Sequence, residues 1–89
     1  MGWKFEIKEN AERDIARFDK PIQRRAKEKL TWLKENFTSV IPEPLGFDLK
    51  GFFKLRFGDW RIVYEIIDEK EMLIVHAVDR RDKVYKRKI

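Results

Sequence analysis

The feature that most constrains the fold is a pair of segments with alternating apolar residues, which meet at a Gly-Asp dipeptide between residues 52 and 67. A two-residue loop that begins with Gly is typical of a type II′ β-hairpin, so this stretch predicts two antiparallel strands joined at Gly58 and Asp59. Counting outward from that loop places Arg56 opposite Arg61. The other predicted pairs are Phe57 with Trp60, Leu55 with Ile62, Lys54 with Val63, and Phe53 with Tyr64.

The predicted hairpin has two unlike faces. The almost wholly apolar face consists of Phe53, Leu55, Phe57, Trp60, Ile62, Tyr64 and Ile66. The other face carries Lys54, Arg56 and Arg61. Because like charges directly opposite each other destabilise a sheet, the two facing arginines suggest a bound anion. An odd-length loop would turn Arg61 to the apolar side, so this interpretation depends on the two-residue turn.

The segments before the hairpin predict one strand and two helices. Residues 2–8 alternate between apolar and charged side chains, as a half-buried strand does. Asn10 is expected to cap the first helix and Asp19 the second, which has Pro21 in its first turn. Trp32 lies beside the apolar stripe of the second helix and is expected in the core or at its margin. The two stripes are formed by Ala11, Ile15 and Phe18, and by Ile22, Ala26, Leu30, Leu33 and Phe37.

Residues 38–50 follow neither a helical nor a strand period. Two prolines in this segment, Pro42 and Pro44, keep Glu43 extended. A loop of this length in a small domain is more often functional than a simple connection. We therefore expect Glu43 to take part in the site.

A second turn, in which Asp68 pairs with Glu71, predicts a last strand at 72–78. The same counting places Val63 opposite His76 and Arg61 opposite Val78, with His76 on the cationic face. The sequence thus predicts a single α+β domain over residues 1–89, in the order β-α-α-β-β-β. A helical hairpin is expected to pack on one face of a mainly antiparallel sheet.

Composition narrows the possible functions. The chain has no signal peptide and no apolar run that could span a bilayer, so we expect a soluble cytoplasmic protein without membrane contact. It has no Cys and one His, which excludes disulfides and thiolate metal sites, and we expect no metal or other cofactor. Residues 1–79 hold 15 basic and 15 acidic side chains, so the net charge of +5 comes from the basic residues of 80–89. Such an end suits a phosphate-rich partner, although a solvating tail would look the same.

The open face of the predicted sheet, the loop and the basic end together supply groups for phosphate chemistry: Glu43, Lys54, Arg56, Arg61, His76, Arg80, Arg81 and Tyr85. Arginines bind phosphate oxygens bidentately and stabilise a transition state in which negative charge builds on phosphate. Glu43, His76 or Lys54 could act as a general base, and Tyr85 could donate a proton or stack on a base. No carboxylate pattern suggests a two-metal site. If RNA is cut, we therefore expect metal-free attack by the ribose 2′-OH.

Several fragments of the chain resemble the RelE/ParE superfamily of bacterial and archaeal toxins, specifically its RelE branch. The fragments are Ala-Glu-Arg-Asp-Ile at 11–15, Pro-Glu-Pro-Leu at 42–45, Leu-Lys-Gly-Phe at 49–52, Lys-Leu-Arg at 54–56, Gly-Asp-Trp-Arg-Ile-Val-Tyr at 58–64 and Val-Asp-Arg-Arg-Asp-Lys-Val-Tyr at 78–85. The resemblance implies a ribosome-dependent mRNA endonuclease that leaves a 2′,3′-cyclic phosphate and a 5′-OH. It also implies a cognate antitoxin that blocks the basic face.

The resemblance assigns roles to residues of this chain. Arg61 matches the arginine that holds the scissile phosphate, and Arg81 matches the second catalytic arginine, with Arg80 as the alternative. Tyr85 matches the catalytic tyrosine near the C-terminus, and Glu43 the catalytic glutamate of YoeB-like relatives. The remaining residues expected to bind substrate or support catalysis are Lys54, Arg56, His76, Lys83 and Lys86.

The general base stays open among Glu43, His76, Lys54 and Tyr85, because this chain has Val84-Tyr85 where YoeB-like relatives have His-Tyr. Two other functions compete with RNA cleavage. One is a ParE-like toxin that poisons gyrase, and the other is a non-catalytic RNA- or ribosome-binding relative.

Overall fold

The computed structural model describes residues 2–46 and 50–87, and in it five strands form one sheet. The strands are β1 (Lys4–Ile7), β2 (Glu43–Pro44), β3 (Phe52–Phe57), β4 (Trp60–Ile67) and β5 (Met72–Arg80). Their spatial order in the sheet is β1-β5-β4-β3-β2. The helices are α1 (Glu9–Ala16), α2 (Lys20–Glu35) and α3 (Arg81–Val84), with short 3₁₀ turns at Phe37–Ser39 and Asp68–Lys70. Strand β1 runs parallel to β5, and the other neighbours are antiparallel. The predicted α+β class is confirmed, and the six predicted elements occur in the predicted order; β2 and α3 are additional.

The predicted hairpin register is confirmed at every pair. Arg56 lies opposite Arg61, and the strands join at Gly58 and Asp59. Gly58 has a φ of +60°, the left-handed value that the first position of this turn requires. A Cβ at Gly58 would also lie 2.9 Å from the Arg25 guanidinium, but that is the end of a flexible side chain and can shift, so the positive φ is what requires Gly.

The predicted register of the last strand is correct near its turn and wrong beyond His76. Tyr64 pairs with Val75 as expected, but the ladder then shifts by one residue, so that Val63 pairs with Ala77 and Arg61 with Asp79. His76 is the extra residue of this β-bulge. The predictions that Val63 faces His76 and that Arg61 faces Val78 are therefore both wrong.

The helices pack on the apolar face of the sheet. Ala11, Ala26 and Leu30 form a core cluster with Ile62 and Val78, and a second cluster surrounds Tyr64. Asn10 does not cap α1, because that helix begins one residue earlier, at Glu9 after Lys8. Asp19 does occupy the N-cap position of α2, although its side chain makes no capping hydrogen bond.

Trp32 is not at the core margin, as the sequence suggests, but 43% exposed. The neighbouring Leu33 takes the inward position. The ammonium of Lys29 lies 4.5 Å from the centre of the Trp32 ring. No helix within residues 2–46 and 50–87 is long and apolar enough to cross a membrane.

The second face of the sheet is partly covered. A small apolar cluster joins Leu45, from the segment after β2, to Val63, Ala77 and Val84. Val84 belongs to α3, a one-turn helix that the sequence patterns do not predict. Because α3 packs here, it carries the C-terminal segment back across the sheet. Part of the loop predicted at 38–50, namely 47–49, lies outside the described residues.

Candidate active site

Four of the predicted site residues meet at the edge of the sheet, and they come from three separate segments. Glu43 lies on β2 directly opposite Lys54 of β3. Its Oε2 accepts a hydrogen bond from Arg56 Nη2 at 2.6 Å and lies 3.7 Å from Lys54 Nζ. Lys54 Nζ in turn donates to the hydroxyl of Tyr85, just after α3. We call Glu43, Lys54, Arg56 and Tyr85 the edge cluster.

Local sequence explains how the edge cluster forms. Pro42 and Pro44 hold Glu43 in the extended conformation that lets this short strand pair with β3. Lys54 and Arg56 are two residues apart on β3, so both side chains project from the same face. Tyr85 reaches them because Val84 is buried in the apolar cluster on that face.

The charge on Glu43 is stabilised by its neighbours. The hydrogen bond from Arg56 is the largest of the effects that lower the pKa of Glu43, and the charges of Arg56 and Lys54 act in the same direction. A carboxylate with a lowered pKa is a weak proton acceptor near neutral pH. Glu43 is therefore placed better as an internal counter-ion of the two cations than as a general base.

The exposed members of the edge cluster leave donors for a ligand. Tyr85 is 46% exposed, and its oxygen accepts from Lys54, so its own O–H can donate to a bound group. Arg56 has 59% of its side chain exposed and a guanidinium with five N–H donors. An anion that displaces Glu43 would meet two cations and a hydroxyl in one place.

Arg61 lies on the predicted face, but its side chain is buried and hydrogen-bonded to the backbone of the hairpin turn. It is only 9% exposed, and its Nη1 donates to the carbonyl oxygens of Gly58 at 3.0 Å and Trp60 at 2.8 Å. Both bonds use the same terminal nitrogen, so the remaining donors of the guanidinium are available to a phosphate at the turn. Arg61 thus has a structural contact that the sequence does not reveal.

The other predicted residues surround the edge cluster or lie apart from it. The guanidinium of Arg80 lies 5.3 Å from the centre of the Trp60 ring. Arg81 begins α3, and its backbone N–H donates to the carbonyl of Asp59 at 2.8 Å, near the hairpin turn. Lys83 and Lys86 are exposed on and after α3.

His76 lies apart from the edge cluster. Its Nε2 is 3.0 Å from Glu65 Oε1, and its ring meets that of Phe52 edge to face. In this arrangement it is engaged with a carboxylate of β4 rather than with Lys54 or Tyr85. Within the described ranges, no group of three or more His, Asp or Glu side chains gathers as a metal site would require.

Sequence reasoning missed two residues that hold the C-terminal segment, Asp14 and Arg87. Asp14 of α1 is buried, at 2% exposure, and it bonds to the guanidinium of Arg87 at 2.8 Å. The sequence did indicate a role for Asp14. It lies three residues after Ala11 on the apolar side of α1, and a carboxylate buried there needs a partner.

Comparison with known proteins assigns the chain to a family. The profile of a family described as "ParE toxin of type II toxin-antitoxin system, parDE" matches residues 5–85. A protein of Escherichia coli described as a RelE-like toxin is 31% identical over 85 residues, which cover 93% of this chain and 87% of that protein. Toxin RelG of Mycobacterium tuberculosis is 36% identical over 47 residues, about half of each chain.

Solved structures agree with this assignment. The toxin–antitoxin complex RelBE2 of Mycobacterium tuberculosis contains a chain with a TM-score of 0.80 and 27% identity, covering 91% of this chain and all of that one. The archaeal RelE–RelB complex of Pyrococcus horikoshii shares the fold, with a TM-score of 0.73 at 18% identity, covering 94% of this chain and all of that one. The chain therefore belongs to the RelE/ParE superfamily and is a RelE-like toxin of a type II toxin–antitoxin system.

Proposed function

We propose that this toxin is a ribosome-dependent mRNA endoribonuclease that cleaves by metal-independent attack of a ribose 2′-OH on the adjacent phosphate. The observation that carries the proposal is the contact of Lys54 with Tyr85 in the edge cluster. It brings a cation and a proton donor from distant parts of the chain to one place. The Lys54 side chain is only 15% exposed, whereas Tyr85 is 46% exposed, so the cation lies beneath a hydroxyl that a ligand can reach.

The proposed reaction assigns each side chain a role. The scissile phosphate displaces Glu43 from Arg56 and Lys54, and these cations stabilise the charge that builds on the phosphate. Arg61 and Arg81 approach the same phosphate from the hairpin turn and the start of α3. Tyr85 donates its proton to the departing 5′-oxygen. The products are a 2′,3′-cyclic phosphate and a 5′-OH end.

This assignment bears on the open choice of general base. His76 is engaged by Glu65, and the charge on Glu43 is stabilised by two cations, so neither is well placed to take the 2′-OH proton. We propose that this proton leaves to a water molecule at the site as the 2′-oxygen attacks the phosphate. Positioning and charge stabilisation then account for most of the rate. We propose Arg81, rather than Arg80, as the second catalytic arginine, because Arg80 lies over the Trp60 ring.

A second basic surface lies next to the edge cluster and supports binding to RNA on the ribosome. A shallow, open cleft of about 460 Å³ runs from Arg56 and Gly58 across to α2, where Arg25, Lys29 and Trp32 line it together with one acidic residue, Glu28. Cations beside an exposed aromatic ring are typical of surfaces that hold phosphates and stack unpaired bases. We propose that ribosomal RNA or mRNA flanking the cut occupies this cleft.

The structures of relatives support a protein partner. RelE chains of Mycobacterium tuberculosis and Pyrococcus horikoshii were solved in complexes with their RelB antitoxins. We propose that a cognate antitoxin neutralises this toxin by covering the edge cluster. Its substrate, translated mRNA, would place the toxin in the cytoplasm.

The test is cleavage of a defined mRNA by the purified toxin, with and without ribosomes carrying that mRNA. We expect cuts only on ribosomes, and none where the nucleotide before the cut carries a 2′-deoxyribose. Cleavage of free mRNA would contradict the dependence on ribosomes, and cleavage of the deoxy substrate would contradict the 2′-OH mechanism.

One finding favours a second candidate function. The matching family profile is named for ParE toxins, and the notable competing activity on this fold is inhibition of DNA gyrase. A gyrase supercoiling assay with the same preparation separates the two functions. Inhibited supercoiling with intact mRNA would establish the second candidate in place of RNA cleavage.

A further inference from the structure

The C-terminal segment is anchored at three points around Tyr85. At the start of α3, the N–H of Arg81 donates to the carbonyl of Asp59 at 2.8 Å. In the middle, the side chain of Val84 is fully buried. At the end, Arg87 reaches back to α1 and β5. Tyr85 itself is 46% exposed, so packing of its own ring fixes its position only in part.

The anchor at Arg87 is made by two carboxylates. Its Nη1 donates to Asp14 Oδ2 at 2.8 Å and to Asp79 Oδ2 at 3.2 Å. Burial alone would lower the pKa of Arg87, but the hydrogen bonds and charges of the two carboxylates raise it, so the guanidinium stays charged. One cation thus joins α1, the end of β5 and the C-terminal segment.

Asp14 is built to receive this cation. It is buried, at 2% exposure, and the same Oδ2 accepts the backbone N–H of Val78, just beyond the bulge of β5, at 3.0 Å. Its Oδ1 accepts from Arg17 Nη2 at 2.9 Å, at the C-cap of the same helix. A buried carboxylate requires such partners. The proposed reaction uses neither Asp14 nor Arg87.

We infer that Asp14 and Asp79 clamp Arg87 and thereby hold the Tyr85 hydroxyl at Lys54. Arg87 is then a positioning residue for the cleavage reaction, which acts through Tyr85 and does not contact the reacting phosphate. This inference rests on the proposed function. It adds a requirement for rapid cleavage, namely an intact clamp on the far side of α3.

The test compares Arg87→Ala with Arg17→Ala, which removes the other guanidinium on Asp14 and the same unit of charge. Arg17 is the C-cap residue of α1, and its guanidinium bonds to Asp14 and to no residue of the C-terminal segment among those described, so Arg17→Ala is the control. We expect Arg87→Ala to lower kcat roughly ten- to hundredfold, because a displacement of about 1 Å of a reacting group has effects of that size. KM for the programmed ribosome should stay near its wild-type value. Arg87→Lys, which keeps the charge, should restore part of kcat.

A second measurement does not require activity. Trypsin cleavage of the bond between Lys83 and the buried Val84 needs α3 to open. We expect that cleavage to accelerate in Arg87→Ala and to stay at the wild-type rate in Arg17→Ala.

Three results would overturn the clamp: wild-type kcat in Arg87→Ala, an equal loss of kcat in Arg17→Ala, or an unchanged rate of trypsin cleavage in Arg87→Ala. If the wild-type protein cuts no mRNA, the proposed function fails, and the trypsin rates alone decide whether the clamp exists.

Discussion

Replacing Tyr64 with Phe is expected to stabilise the protein. Tyr64 lies on β4 and is fully buried beside Leu33, Phe37 and Leu73, and its hydroxyl has no hydrogen-bond partner within the described ranges. A buried polar group without a partner costs about 1–3 kcal/mol. Removing only that oxygen leaves the ring contacts in place. The free energy of unfolding should therefore rise by about 1–3 kcal/mol, with Tm rising by roughly 4–8 °C for each kcal/mol.

The same hydroxyl should make the stability of the protein depend on pH in alkaline solution. Burial, with a smaller effect from the charge of Glu43, raises the pKa of Tyr64 to about 12, against a usual 10.0. The folded state then holds the proton more tightly than the unfolded state. The contribution of this proton to the free energy of unfolding is therefore complete below pH 10 and falls as the pH rises toward 12. The expected loss is about 1.4 kcal/mol per pH unit in that window, and Tyr64→Phe should lack it.

Urea unfolding, followed by Trp fluorescence at several pH values from 8 to 11, measures both effects. The difference between the wild type and Tyr64→Phe isolates Tyr64 from the other groups that titrate there. A variant less stable than the wild type at pH 8 would refute the unpaired hydroxyl. Equal dependence on pH in the two proteins would refute the raised pKa.

Three further predictions concern residues whose surroundings differ from the sequence-based expectation. Arg61→Ala should lower both activity and the free energy of unfolding, the latter by about 1–3 kcal/mol, because two turn carbonyls lose their donor. Calorimetry together with a cleavage assay checks this prediction, and an unchanged Tm would contradict the burial of Arg61. Trp32→Ala should cost far less stability than Leu33→Ala, for which about 2–5 kcal/mol is expected; equal losses in denaturant unfolding would place Trp32 in the core. Glu43→Gln should tighten binding to RNA at low salt, because it frees Arg56 from its counter-ion. A fall in kcat of roughly a hundredfold or more would instead identify Glu43 as the general base.

The hairpin could be predicted because its information is local. A two-residue loop with Gly first determines which residues face each other, and the alternation of side chains then assigns the faces. Lys54 and Arg56 follow directly from that count. Glu43 joined them because flanking prolines favour an extended strand, a preference that is also local.

The bulge in β5 could not be predicted, because its partners lie far away in the chain. Asp14 binds the N–H of Val78 across 64 residues, and Arg87 binds Asp79 on the other side of α3. These contacts select a register that counting from the turn at Asp68 cannot distinguish. The contacts of Arg61 could not be predicted for a different reason: Gly58 and Trp60 are close in the chain, but bonds to them depend on the rotamer that the Arg61 side chain adopts.

The hydroxyl of Tyr85 tests the central claim most directly. Single-turnover cleavage of mRNA on programmed ribosomes should be about 10²–10⁴-fold slower with Tyr85→Phe than with the wild type. Because Tyr85 is exposed, Tm and binding to the ribosome should not change. A Tyr85→Phe variant that cuts at the wild-type rate would show that the edge cluster is not the site of cleavage.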